Sequence, residues 1–144
     1  MAVNYRLVTC TPDDVFAVLA NGWLYPGWVV GATRMRSVDD TWPDPGSALH
    51  HSVGVWPLVL DDTTSILEWD PPRHALMQAR GWPLGEATVS VDVRERENGC
   101  VIRLIEVGAA GFARMVPRVI SDTALRLRNT ETLRRLAYLA EGGA

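Results

Sequence analysis

The period of the apolar residues changes late in the chain. From residue 117 to 141 it is helical: at about 100° per residue Leu125, Asn129, Thr132, Leu133, Leu136, Leu139 and Ala140 share one face, and Glu131, Arg134, Arg135 and Tyr138 share the other. A helix of about 25 residues reaches about 37 Å, and so long a rod needs a broad apolar surface to lie on. Asn129 stands in mid-stripe, where an apolar residue is expected. Two readings stand: a core amide satisfied by a backbone group, as buried polar groups normally are, or a polar contact aimed into a cavity beneath the helix.

Before that helix the dominant period is two. Val3, Tyr5, Leu7 and Thr9 alternate and predict a strand over 3–9. Thr11 is a good N-cap, Pro12 suits the first helical position, and Asp13 and Asp14 favour the positive end of a helix dipole. Val15, Phe16, Val18 and Leu19 give this helix its apolar face, and Asn21-Gly22 ends it. Residues 21–28, full of aromatics and breakers, predict a short second helix or a packed loop. Strands follow at 29–38, 48–55, 64–69, 74–82, 86–95 and 101–107, divided by a loop at 39–47 and turns at Asp61-Asp62, Asp70-Pro71-Pro72, Pro83-Leu84 and Asn98-Gly99. Gly54 and Pro57 suggest a bulge or bend. Residues 108–115 form a linker. This order predicts an α+β fold: a curved antiparallel β-sheet of six to seven strands around one long C-terminal α-helix, with two short helices after the first strand, in a single domain spanning 1–144.

Hairpin counting places side chains. If Asn98 and Gly99 are the two loop residues of a type I′ turn, Glu97 pairs with Cys100, Val93 faces Leu104 and Val91 faces Glu106. Val89, Val91 and Val93 then share the inner face with Ile102, Leu104 and Glu106, and Arg103 sits outside opposite Arg94. An inward carboxylate is costly without a partner, and its pKa tends upward. The same counting at Pro83-Leu84 sets Ala87 opposite Arg80 and Val89 opposite Gln78, so that Leu76, Gln78, Arg80 and Trp82 line the interior. Such a face is too polar for a plain core and suits a cavity for a mostly apolar ligand with a few polar anchors. The alternative is that Arg80 and Glu106 lie at the open ends of the sheet, solvated. His50 and His51 are neighbours in a strand and point to opposite faces. His51 has the parity of Leu49 and Val53 and points inward, as a candidate acid or base or a packed neutral imidazole. His74 follows a Pro-Pro-Arg turn and reads as surface. Six tryptophans, Trp23, Trp28, Trp42, Trp56, Trp69 and Trp82, could supply flat walls for a polycyclic ligand or simply be core.

Five segments, Asn21-Gly-Trp-Leu-Tyr-Pro-Gly-Trp28-Val-Val-Gly31, Trp42-Pro-x-Pro-Gly46, Leu49-His-His51, Pro71-Pro-Arg73 and Arg128-Asn129-x-Glu131-x-Leu133, resemble the START-like, helix-grip (SRPBCC) superfamily, which includes polyketide cyclases/dehydrases and the Bet v 1 allergens. The resemblance covers nearly the whole chain. Members often open the first loop with Asp-Pro where this chain has Asn21-Gly22. The resemblance implies a shared internal cavity rather than a fixed catalytic set. It also implies that the first strand runs antiparallel beside the last, which brings Cys10 and Cys100 to the same end of the sheet.

Composition narrows the choice. A net charge of −3 and a pI of about 5.5, with no block of like charge, argue against nucleic acid as the main partner. No run of about 18 apolar residues exists, and no signal-peptide pattern, so membrane insertion is not expected and a cytoplasmic protein is. Two cysteines give no disulfide framework and no metal spacing, and free thiols are expected. No phosphate loop or nucleophile elbow is present, so neither a cofactor nor a metal is expected. The expected site is a cavity bordered by Gln78, Arg80, Trp82, Glu106 and Asn129, with Trp28 near its mouth. It would serve a carrier of a hydrophobic small molecule, or an enzyme resembling polyketide aromatase/cyclases with Glu106 or His51 as acid/base and Arg80 polarising a carbonyl. A protein-interaction module of the same fold would need an exposed apolar patch instead.

Overall fold

The computed structural model describes the backbone at residues 1–55, 58–81, 85–108 and 118–142, and side chains at 1–52, 61–80, 86–108 and 123–142. Its elements run β1 (Ala2–Val8), α1 (Pro12–Ala20), a 3-10 turn (Gly22–Leu24), α2 (Tyr25–Trp28), β2 (Ala32–Val38), β3 (Ala48–Val55), β4 (Leu58–Asp70), β5 (His74–Gly81), β6 (Gly85–Arg96), β7 (Gly99–Gly108) and α3 (Arg118–Glu141). The strands form one antiparallel seven-stranded sheet in the order β1-β7-β6-β5-β4-β3-β2. This is the α+β helix-grip fold expected from the sequence. No described helix is long and apolar enough to cross a membrane.

Local chemistry starts and stops the helices where it should. Thr11 caps α1: its hydroxyl accepts the Asp14 N–H while the Asp14 carboxylate accepts the Thr11 N–H, a reciprocal capping box. Asn21 closes α1 and caps the 3-10 turn through its side chain. The strand expected from residue 29 begins only at Ala32, because α2 runs to Trp28 and Val29 is its C-cap.

Leu133, Leu136, Ala137 and Ala140 of α3 are buried against Val15, Phe16, Val18 and Leu19 of α1 and against the inner face of the sheet, where Val91, Val93, Ile102 and Leu104 are also buried. Polar clamps hold α3 to β1. The Glu141 carboxylate accepts the N–H and hydroxyl of Thr9 at 2.8 and 2.9 Å, and Asn4 Nδ2 donates to the Arg126 carbonyl at 3.1 Å. The alternating set Val3, Tyr5 and Leu7 correctly marks a strand, but it faces outward: Tyr5 and Leu7 are 65% and 73% exposed.

Three sequence expectations need correction. Asp61-Asp62 is not a turn. β4 runs through it, and the chain reverses between Val55 and Leu58, which pair with each other. The β6–β7 hairpin pairs Arg96 with Gly99 and Glu95 with Cys100, two residues from the predicted register, so that Arg103 meets Asp92 rather than Arg94. The turn residues are Glu97 and Asn98, neither with positive φ, so the turn is not type I′. A two-residue shift preserves parity, and the inner set Val91, Val93, Ile102, Leu104 and Glu106 is buried as expected. The β5–β6 register differs by one residue: Gln78 pairs with Thr88 and Arg80 with Glu86. An odd shift exchanges the faces. Ala75 and Met77 are therefore the buried residues of β5, and Gln78 and Arg80 lie on the outer face, where Arg80 bonds Gln78 and pairs with Glu86 at 3.4 Å.

Cys100 pairs in register with Val8, so the two cysteines share one end of the sheet. Both thiols are free and buried. Burial, and then the neighbouring Cys10, push the Cys100 thiol up to about 12, which keeps it protonated. Gly99 belongs to this corner. Its φ is +152°, and a Cβ there would run into the Val8 carbonyl oxygen. Gly99→Ala should therefore lower the urea midpoint, at unchanged m-value, by the equivalent of about 1–3 kcal/mol; an unaltered midpoint would show that β1 yields at no cost.

Candidate functional site

Along α3 the inner face changes character. Its last turns present leucine and alanine, whereas at mid-helix it presents Asn129 and Thr132, both buried, with Arg128 on the flank. Across from that polar stretch stand side chains set by strand parity. Leu49 and His51 point inward from β3, and Thr64 and Ile66 from β4; all four are buried, and the half-buried Asp62 shares the β4 parity. Glu106 comes from the inner face of β7, and Tyr25 and Trp28 are buried on α2.

These groups join into two polar units. In the first, the Thr64 hydroxyl lies 2.9 Å from Tyr25 Oη and 2.9 Å from His51 Nε2, with the Tyr25 and His51 rings 4.8 Å apart, centroid to centroid, at 33°. Trp28 packs edge-on to Tyr25 at 5.4 Å. In the second, both Glu106 carboxylate oxygens accept from Arg128 Nη2; the Glu106 side chain is 7% exposed and that of Arg128 39%. Three buried nitrogens of this cluster, Asn129 Nδ2, His51 Nδ1 and Arg128 Nε, have no hydrogen-bond partner of sound geometry among the described residues.

Burial shapes the electrostatics. It drives the His51 imidazole down to about 4, opposed by a backbone contact to Ser52, with the nearby charges of Arg36 and His50 lowering it further. It raises the Asp62 carboxyl to about 6, opposed by backbone N–H groups of Thr63 and Arg80 and by Arg36. It lifts the Tyr25 phenol to about 12; Thr64 and Arg128 pull it down, while Asp62 and Glu106 push it up. At neutral pH the cluster thus holds a neutral imidazole, a protonated phenol, an ion pair and a carboxyl that titrates close to neutrality. That last group is suited to giving and taking a proton.

Of the residues singled out from sequence, His51, Glu106 and Asn129 lie on the inner faces of sheet and helix, with Trp28 beside Tyr25. Gln78 and Arg80 do not join them, because the one-residue register difference carries them outside. Trp82 lies outside the described residues, as does Trp56. Tyr25, Asp62, Thr64 and Arg128 were not singled out as site residues. Reading Asp61-Asp62 as a turn removed both Asp62 and the parity of Thr64. Arg128 had a signal, since an inward Glu106 requires a counter-ion and Arg128 stands beside Asn129. Among the described residues no group of His, Cys, Asp and Glu could hold a metal.

The opposed shifts of His51 and Asp62 predict a particular acid response. His51 binds its proton more weakly in the folded state, so its contribution is complete above about pH 6.5 and is lost as pH falls toward 4. Asp62 binds its proton more tightly when folded, so it favours the fold at acid pH and loses that contribution as pH rises from about 3.8 to 6. The two offset each other between about pH 4 and 6. Asp62→Asn should therefore make stability fall more steeply on acidification than in the parent, and should gain most relative to the parent at pH 7. Urea unfolding at several pH values checks this, and parallel curves would refute it.

Comparison with known proteins places this geometry. A protein of Chromobacterium violaceum has a similar fold at 15% identity (TM-score 0.74, covering 96% of each chain), and so has one of Nitrosomonas europaea at 13% (TM-score 0.74, 97% of this chain and 93% of that one). The di-domain ARO/CYC StfQ from the steffimycin biosynthetic pathway is similar at 12% identity, with a TM-score of 0.70 over 97% of this chain and 50% of its own. At these identities the likeness is one of fold. No curated protein matches the chain. The family model described as polyketide cyclase / dehydrase and lipid transport matches residues 3–141, and with nearly every residue inside that match the chain belongs to this family.

Proposed function

We propose that the protein binds a hydrophobic small molecule, a lipid, polyketide or other polycyclic compound, between the inner face of the sheet and the middle of α3. The observation that carries this reading is the pair of unpartnered buried nitrogens, Asn129 Nδ2 on the helix and His51 Nδ1 on the sheet. Leaving a buried polar group unpaired costs about 1–3 kcal/mol, and a ligand carbonyl or hydroxyl accepting from Asn129 would recover it. Trp28 and Tyr25 would offer aromatic surface to an otherwise apolar ligand. The Glu106–Arg128 pair would supply a second polar anchor, its cationic end half exposed. Membership in a family of polyketide cyclases, dehydrases and lipid transporters supports this class of ligand.

A second reading, an aromatase/cyclase-dehydratase, is favoured by Asp62. A carboxyl that titrates near pH 6 can take the proton from carbon beside a ketone during aldol closure. It can return that proton to the alkoxide formed at the attacked carbonyl; in the dehydration that follows it takes the second proton from the same carbon and delivers it to the hydroxyl leaving as water. Asn129 would take the carbonyl-polarising role that the sequence assigned to Arg80. The neutral His51, with its low pKa, is a hydrogen-bond partner in this scheme rather than the base.

Native mass spectrometry of freshly purified protein should reveal a co-purifying lipophile, and an apolar fluorescent probe should compete with it. Asn129→Leu should weaken probe binding while holding or raising the stability of the ligand-free protein, since it removes the unpaired amide; unchanged probe affinity would make Asn129 a core residue and defeat the proposal. With candidate poly-ketone substrates, Asp62→Asn separates the two readings. An enzyme should lose about 10²-fold or more in turnover, whereas a carrier should keep its ligand. Glu106→Gln should cost a carrier at most a hydrogen bond, and a comparable loss of turnover there would move the acid/base role to Glu106.

A further inference from the structure

We infer that a second site, on the outside of the protein, binds a small organic cation with an alkylated ammonium head. Where α1 ends, the 3-10 turn and the β2–β3 loop enclose an open groove of about 490 Å3, within the range of small-molecule sites. None of the residues of the internal cluster lines it. Its walls include two indoles, Trp23 and Trp42. Trp23 is 60% exposed although it is the largest side-chain type. Trp42 is half-buried, and its Nε1–H donates to the Leu19 carbonyl at 3.2 Å, which fixes the ring.

Everything charged along this groove is negative. Asp39 and Asp40 line it, and no lysine or arginine does. α1 also ends here without a basic residue in its last turn, so the negative end of its dipole is left uncompensated by a side chain. The two carboxylates differ in availability. Asp39 is committed, accepting the Ala48 N–H at 2.9 Å and meeting His50 Nε2 at 3.1 Å. Asp40 is exposed and has no partner among the described residues.

This combination selects its ligand. A hard divalent ion takes six or more oxygen ligands, and one available carboxylate does not supply them. A neutral apolar molecule would gain nothing from the negative field. A cation whose charge is spread over alkyl groups gains on both counts, since it can lie against an indole face and still feel the carboxylate. The Trp23 face and Asp40 supply those two terms, with Trp42 as the fixed wall.

The test is a titration of the intact protein with choline, followed through the indole N–H resonances. The neutral carbon isostere 3,3-dimethylbutan-1-ol and free arginine serve as comparison probes. Choline should shift the Trp23 and Trp42 signals saturably, with binding weakened about 3- to 30-fold by Trp23→Ala and by a smaller factor in Asp40→Asn. The isostere should not compete. Both substitutions are at exposed positions, so unaltered spectra elsewhere will report a retained fold. Equal binding of the isostere would overturn the charge argument, and choline binding unaltered by Trp23→Ala would overturn the site. Preferential binding of arginine would show a groove built for a guanidinium rather than an alkylammonium, and would overturn the ligand assignment.

Discussion

A single helix must cover the concave face of a seven-stranded sheet. α3 meets that demand unevenly. Over its C-terminal half, Leu133, Leu136, Ala137 and Ala140 lie buried, with α1 packed alongside, and the result is a close apolar core of the kind that resists loss of even one methylene. At mid-helix the covering residues are Asn129 and Thr132, and the sheet answers with His51, Thr64 and Glu106. Apolar and polar covering residues thus follow one another along one rod. The Glu141–Thr9 clamp sits at the apolar end, whereas the Glu106–Arg128 pair ties the polar stretch of α3 to β7.

Much of this was legible because periodicity survives small errors. The helical phase of 125–140 identified the buried face of α3, and Thr11-Pro12-Asp13-Asp14 announced α1 with its cap. The Asn98-Gly99 turn was misplaced, yet Glu106 still pointed inward, since an even shift of register leaves each residue on its own face. At β5–β6 the same reasoning was off by one, and Gln78 and Arg80 went to the wrong side. The two cases differ only in parity, which a turn of ambiguous length cannot supply. Asp61-Asp62 misled for another reason. Adjacent aspartates favour turns, but a strand tolerates them when one faces solvent, as Asp61 does beside Arg36 and Ser52, while the other takes backbone N–H groups, as Asp62 does. Tyr25 was hidden because only the tertiary fold brings α2 against β3 and β4.

The polar cluster illustrates how one environment gives neighbouring groups different roles. Burial acts on His51, Asp62 and Tyr25 alike, disfavouring charge in each. It therefore lowers the base and raises the two acids, so that all three tend to neutrality. Among the described residues the buried carboxylate of the cluster is Glu106, whose partner Arg128 reaches it from the flank of α3 while keeping part of its guanidinium in solvent. Such an arrangement limits the desolvation cost that a wholly enclosed pair would carry.

The Thr64 hydroxyl, shared between Tyr25 and His51, has one hydrogen to give. If His51 carries its proton on Nδ1, Thr64 donates to Nε2 and accepts from Tyr25, and the cluster offers a donor at its open nitrogen. If the proton is on Nε2, Thr64 accepts from it and turns its own hydrogen to the tyrosine oxygen, and the same nitrogen becomes an acceptor. The chain of three groups can therefore reverse polarity as a unit, without displacing a heavy atom. The direction is therefore set by whatever meets that nitrogen, a donor favouring one arrangement and an acceptor the other.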